Sequence, residues 1–108
     1  MCIRDRNRID LAIRDYDQAI RLDATLGEAF LNRGILLLEA KKYVNAEDDF
    51  RTARTLGVSA NLIDLNLAIS EMRQDHIEKA RRLLQEILRT SPDHSEATQL
   101  LKSLNTGR

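Results

Sequence analysis

The sequence predicts an all-α protein of about six antiparallel helices. Three observations carry that expectation. Apolar residues recur at helical spacing from Ile9 to Leu104, and no Val/Ile/Thr-rich alternating stretch suggests a strand. One proline and four glycines leave little of the 108-residue chain punctuated. The chain also resembles itself at a step of 34 residues: "FLNRGILL" around Gly34 returns as "DLNLAISE" around Ala68.

The expected helices lie near 8–22, 28–40, 43–56, 61–74, 76–90 and 93–105. In the first, Ala12, Tyr16 and Ala19 sit one step of 34 before Ala46, Phe50 and Ala53 of the third. These small and aromatic residues fall three and four apart, on one face of a helix. The second helix follows "TLGE", which reads as a capping box with Thr25 as cap and Glu28 reaching back. The third ends near Leu56, with Gly57 where a left-handed residue is favoured. Its "EDD" at Glu47 to Asp49 reads as a solvated face. The fourth starts near Asn61, and the fifth at "DHIE", Asp75 to Glu78; in the fifth, Ala80 and Leu84 repeat Ala46 and Phe50. Ser91 and Pro92 read as a cap followed by proline at the first position of the last helix. There, Glu96 and Ala97 repeat Glu28 and Ala29 at twice the step, and Lys102 stands in the register of Gly34 and Ala68. A polar residue at that place does not accept another close-packed helix.

Every aromatic residue lies on this lattice: Tyr16 matches Phe50, Tyr43 matches Ile9 and Ile77, and Phe30 precedes Gly34 by four. The middle repeat reads Phe30-x2-Arg33-Gly34-x2-Leu37, then Ala46-x3-Phe50, then Val58. The next reads Asp64-x2-Leu67-Ala68-x2-Glu71, then Ala80-x3-Leu84, then Pro92. With its period of 34, this pattern resembles the tetratricopeptide repeat (TPR), a helix–turn–helix unit written Trp-x2-Leu-Gly-x2-Tyr, Ala-x3-Phe, Pro. Arg33, Asp64 and Glu71 depart from it and leave the packing of the fourth helix open. The resemblance implies an α-α superhelix, or solenoid, of stacked hairpins whose first helices line a concave groove for a peptide or a partner helix.

In this register the chain divides into residues 7–26 as the second helix of an incomplete repeat, 27–60 and 61–94 as complete repeats, and 95–108 as a closing helix. The opening "MCIRDR" is too short to supply a preceding first helix. It reads as a translation of ATG-TGT-ATA-AGA-GAC-AG, a transposon end used in preparing sequencing libraries. Residues 1–6 are therefore expected to be a scar fused to a truncated reading frame. Ile9, Ile13, Tyr16 and Ile20 would then lose packing surface, favouring self-association through this helix.

Composition excludes several classes of function. Seventeen basic and seventeen acidic residues cancel, which offers no bulk attraction to nucleic acid or an anionic membrane. No apolar run approaches the roughly 18–20 residues that span a bilayer. The single Cys2 makes no internal disulfide and has no CxxC partner, so the compartment is left open. His76 and His94 lack metal-ligand spacing, and each reads as a surface residue beside a helix start. The serines have no histidine in a nucleophile motif, and the scattered glycines form no phosphate loop. No catalysis, metal or cofactor is expected.

The resemblance carries groove positions over to Glu28, Leu31, Asn32, Ile35, Leu38 and Glu39. One repeat on, they are Leu62, Leu65, Asn66, Ile69, Met72 and Arg73. Two asparagines could donate to and accept from an extended backbone, with apolar neighbours supplying buried area at about 25 cal/mol per Å². A competing reading takes Leu65, Ala68, Ile69 and Met72, at i, i+3, i+4 and i+7, as a core stripe. Some repeats of this family clamp chaperone C-terminal carboxylates with lysine and arginine. Leu31, Leu62 and Leu65 occupy those places here and only Arg73 is basic, which argues against that ligand. The expected function is a non-catalytic interaction scaffold for a protein or peptide. Two alternatives are an accessory region of a larger enzyme, such as a glycosyltransferase or kinase, and a self-assembly module.

Overall fold

The structure, a computed structural model, describes residues 3–106. Among the described residues there are six helices and no strand: α1 (Ile3–Leu22), α2 (Gly27–Glu39), α3 (Tyr43–Thr55), α4 (Ala60–Arg73), α5 (Ile77–Thr90) and α6 (Ser95–Thr106). The all-α class holds, and most helix bounds fall within two residues of those expected. α1 is the exception. It begins at Ile3 because nothing between there and Leu22 stops a helix, and Asp5 suits its first turn. Most of the hexapeptide read as a scar is thus helical, while Met1 and Cys2 lie outside the described residues.

The chain divides into two compact units, Met1–Ser59 and Ala60–Arg108. In the first, α1 packs on α2 and α2 on α3. Ala46, Phe50 and Ala53 of α3 have no exposed surface. Gly34 of α2 lies against them so closely that a Cβ there would stand 2.6 Å from Phe50 Cε1 and 3.2 Å from the Ala46 carbonyl oxygen. The small residue is required by contact rather than by backbone conformation.

In the second unit α4 packs on α5 and α5 on α6. Leu65, Ala68, Ala80, Leu84, Ile87, Ala97 and Leu104 form one buried cluster, edged by Ile69, Met72 and Ile77. The open question about α4 resolves into burial on more than one side. Besides Leu65 and Ala68, the stripe Ile63, Leu67 and Ser70 is buried, while Asp64 and Glu71 are partly exposed.

Three helices end in the same six-residue wrap. After α2, the Lys41 N–H donates to Leu38 O (3.0 Å) and the Lys42 N–H to Leu37 O (2.8 Å). After α3 the pairs are Gly57 to Arg54 (3.0 Å) and Val58 to Ala53 (3.0 Å); after α4 they are Asp75 to Met72 (3.0 Å) and His76 to Glu71 (2.8 Å). These are Schellman closures, which satisfy the last carbonyls by turning one residue left-handed. That residue is Lys41 (φ 64°), Gly57 (φ 101°) and Asp75 (φ 64°) in turn.

The helix starts correct two expectations. The N-cap of α2 is Leu26, without a side-chain cap bond. Thr25 turns away from the helix, and its N–H and Oγ1–H both donate to Asp23 Oδ1 (3.0 and 2.5 Å). At α6, Ser91 and Pro92 remain in the turn, and His94 caps the helix by accepting the Ala97 N–H at Nδ1 (3.2 Å). Ser91 instead accepts from Asn61 Nδ2 (2.8 Å), tying the start of α4 to the end of α5.

Candidate functional site

The first unit is pinned by an ion cluster, one member of which, Asp49, belongs to the stretch expected to be a solvated face. Arg33, where the repeat pattern has leucine, donates from Nε and Nη2 to the two carboxylate oxygens of Asp49 (2.8 Å each), and from Nη1 to Asp17 Oδ1 (2.9 Å). Its guanidinium also lies 5.4 Å from the Phe30 ring centroid. Asp49 is only 6% exposed, so the "EDD" stretch is not a solvated face at its third residue. Hydrogen bonding by Asp49, opposed by partial desolvation, holds the Arg33 pKa well above the ordinary arginine value. The cluster joins α1, α2 and α3, and it engages both edges of the Arg33 guanidinium.

On α2, Glu28 and Glu39 are exposed and Asn32 and Ile35 half-buried. Their 4-3-4 spacing sets them along one accessible stripe. Leu31 (7%) and Leu38 (3%), from the same carried-over set, are buried. In the second unit Arg73 is exposed and Ile69 and Met72 are half-buried against the α4–α6 core, while Leu65 belongs to that core. Asn66 is 8% exposed, and its Nδ2 donates back to Leu62 O at 2.9 Å. The periodic match between the rows of α2 and α4 therefore does not carry equal accessibility. Asn32 is open to a partner where Asn66 is folded against its own helix.

Glu28 and Asn32 also border a depression of about 510 Å³ between α1 and the start of α2, with Tyr16, Ala19, Leu26 and Ala29 among its walls. Tyr16 and Ala19 align with the buried Phe50 and Ala53, yet here they line a surface depression. No sequence signal marks them, because their place in the depression depends on how α2 packs on α1. A larger depression of about 740 Å³ lies between the starts of α5 and the end of α6, lined by Asp75, His76, Glu78 and Arg81 among others, and contains none of the carried-over residues.

Among the described residues, no group of three or more His, Cys, Asp or Glu is placed to hold a metal. Among the same residues, no helix is long and apolar enough to cross a membrane. His76 Nδ1 lies 3.2 Å from Glu71 Oε1, and His94 is occupied as a cap.

No curated protein matches the chain. Among solved structures, the fold is similar to one described as the first TPR of Spaghetti (RPAP3) bound to HSP90 peptide SRMEEVD. That likeness has a TM-score of 0.78 at 22% identity and covers 95% of this chain and 82% of that one. It is also similar to a crystal structure of MamA, with a TM-score of 0.74 at 19% identity, over 96% of this chain and 63% of that one. A model of the tetratricopeptide repeat matches residues 4–58. With the 34-residue period and the packed Gly34–Phe50 and Ala68–Leu84 registers, that match establishes that the chain belongs to the tetratricopeptide repeat family.

Proposed function

We propose that the protein is a non-catalytic interaction scaffold that holds an extended peptide or a helix of a partner against the accessible stripe of α2. The observation that carries this reading is the stripe itself: Glu28, Asn32, Ile35 and Glu39 lie accessible along one side of a helix that buries Ala29, Leu31, Gly34, Leu37 and Leu38. An asparagine amide beside an aliphatic side chain offers both a backbone hydrogen-bond partner and apolar area. That the neighbouring TPR structure holds a peptide supports the reading without fixing this chain's ligand. In the second unit the accessible members are Leu62, Ile69, Met72 and Arg73.

A photo-cross-linking residue at Ile35 tests the proposal. Partner segments are expected to couple there, and Asn32→Ala is expected to weaken capture by about three- to tenfold, the worth of one hydrogen bond. Capture that is unchanged in an Asn32→Ala/Ile35→Lys variant would remove the stripe as the binding surface.

Self-association is a second reading, favoured by exposed leucines in and after α1: Leu11 (58%), Leu22 (78%) and Leu26 (41%).

A further inference from the structure

We propose that the depression between α1 and α2 is a subsite for one basic side chain, lysine or arginine, of an extended partner segment. The inference rests on the α2 stripe being the docking surface, since Glu28 and Asn32 belong to both.

The chemistry of the walls selects the occupant. Tyr16, Ala19, Leu26 and Ala29 give apolar surface, and Glu28 is the one charged residue among the described lining residues. Lysine and arginine have this dual character: an aliphatic stem that buries well and a charged head that needs a partner. The stem lies along Ala19 and Leu26, the head meets the exposed Glu28 carboxylate, and the Tyr16 ring adds a face that attracts cations. Asn32 is left to hold the peptide backbone of the bound residue.

One feature of the site favours the opposite charge. The depression lies at the start of α2, where uncapped N–H groups and the helix dipole attract anions. The dipole end is equivalent to about half an elementary charge, and it faces the full negative charge of Glu28 in the first turn. The carboxylate outweighs it. Arg33 does not reverse this balance, because both of its edges are engaged by Asp49 and Asp17. The Glu39 end of the stripe is a poorer cation site, since Arg6, Lys41 and Lys42 outnumber the carboxylates of Glu39 and Asp10 around the depression there.

The test uses three capped pentapeptides, acetyl-Ala-Ala-X-Ala-Ala-amide with X as arginine, norleucine or glutamate, titrated into the full chain and followed by amide chemical shifts. The arginine peptide is expected to perturb Tyr16, Ala19, Glu28 and Asn32, and to bind about two- to fivefold more tightly than the other two. Glu28→Gln, a surface change that spares the fold, should abolish that preference. Equal binding of the three peptides along α2 would overturn the basic subsite while leaving the docking stripe intact. Tightest binding by the glutamate peptide would do the same and assign the site to anions. Absence of any perturbation on α2 with every peptide would remove both the subsite and the stripe.

Discussion

Asp23 shows how a local polar contact can replace an anticipated helix cap. Its carboxylate accepts both the hydroxyl and the amide of Thr25, and these bonds hold its pKa below the ordinary aspartate value. A depressed folded-state pKa stabilises the fold above the unfolded value, and the benefit is lost as pH falls through the folded one. Carboxyl chemical shifts of Asp23 should therefore titrate below 3.8, and Thr25→Ala should return the midpoint towards that value. Lys41 is the opposite case, a residue at φ 64° with no side-chain reason to be there. A left-handed non-glycine residue costs roughly 1–2 kcal/mol, part of which glycine gives back through its freer unfolded chain. Lys41→Gly should accordingly raise stability by about 0.5–1 kcal/mol in urea unfolding, with an unchanged m-value.

Between elements, packing in the two units follows one rule with two solutions. Gly34 meets Phe50 in the first; one period later, Ala68 shares a core with Leu84 in the second. A smaller residue on the first helix goes with a larger one on the second, so the filled volume stays similar. Gly34→Ala should cost about 1–3 kcal/mol despite the better helix propensity of alanine, because the Phe50 ring is fully buried and has nowhere to move. Adding Phe50→Leu should recover part of that loss, giving a clear coupling in a double-mutant cycle. The Arg33 cluster is the other inter-helix device. Arg33→Ala leaves Asp49 buried without its cation and should lower stability by about 2–4 kcal/mol. Replacing both partners, Arg33→Leu with Asp49→Leu, should be far less damaging, since an apolar pair needs no compensation.

For the molecule as a whole, function depends on which apolar surface stays open. Leu11 and Leu22 project from α1 with more than half their surface exposed. Light scattering is expected to show concentration-dependent dimers, and Leu11→Glu/Leu22→Glu should return the protein to a monomer. A wild-type chain that stays monomeric at millimolar concentration would exclude self-association through α1. The α2 stripe is a different kind of surface, mixed in polarity and suited to a peptide, so the same double variant should leave peptide binding intact.

Periodicity alone determined the helices, their approximate bounds and the close-packed registers at Gly34, Ala46, Ala68 and Ala80, because a 34-residue step is a property of the chain. The turn after α3 was equally legible, since only Gly57 advertises a left-handed conformation. The left-handed Lys41 and Asp75 were not, because their backbone is imposed by the wrap that closes each helix. The site divides in the same way. The resemblance carried Glu28, Leu31, Asn32, Ile35, Leu38 and Glu39 over as one row, of which Leu31 and Leu38 are buried. Which asparagine remains open, which aspartate pairs with Arg33, and that Tyr16 faces a depression were decided by tertiary structure. Accessibility and charge pairing depend on what packs alongside a residue, and neighbours distant in sequence carry no period that names them.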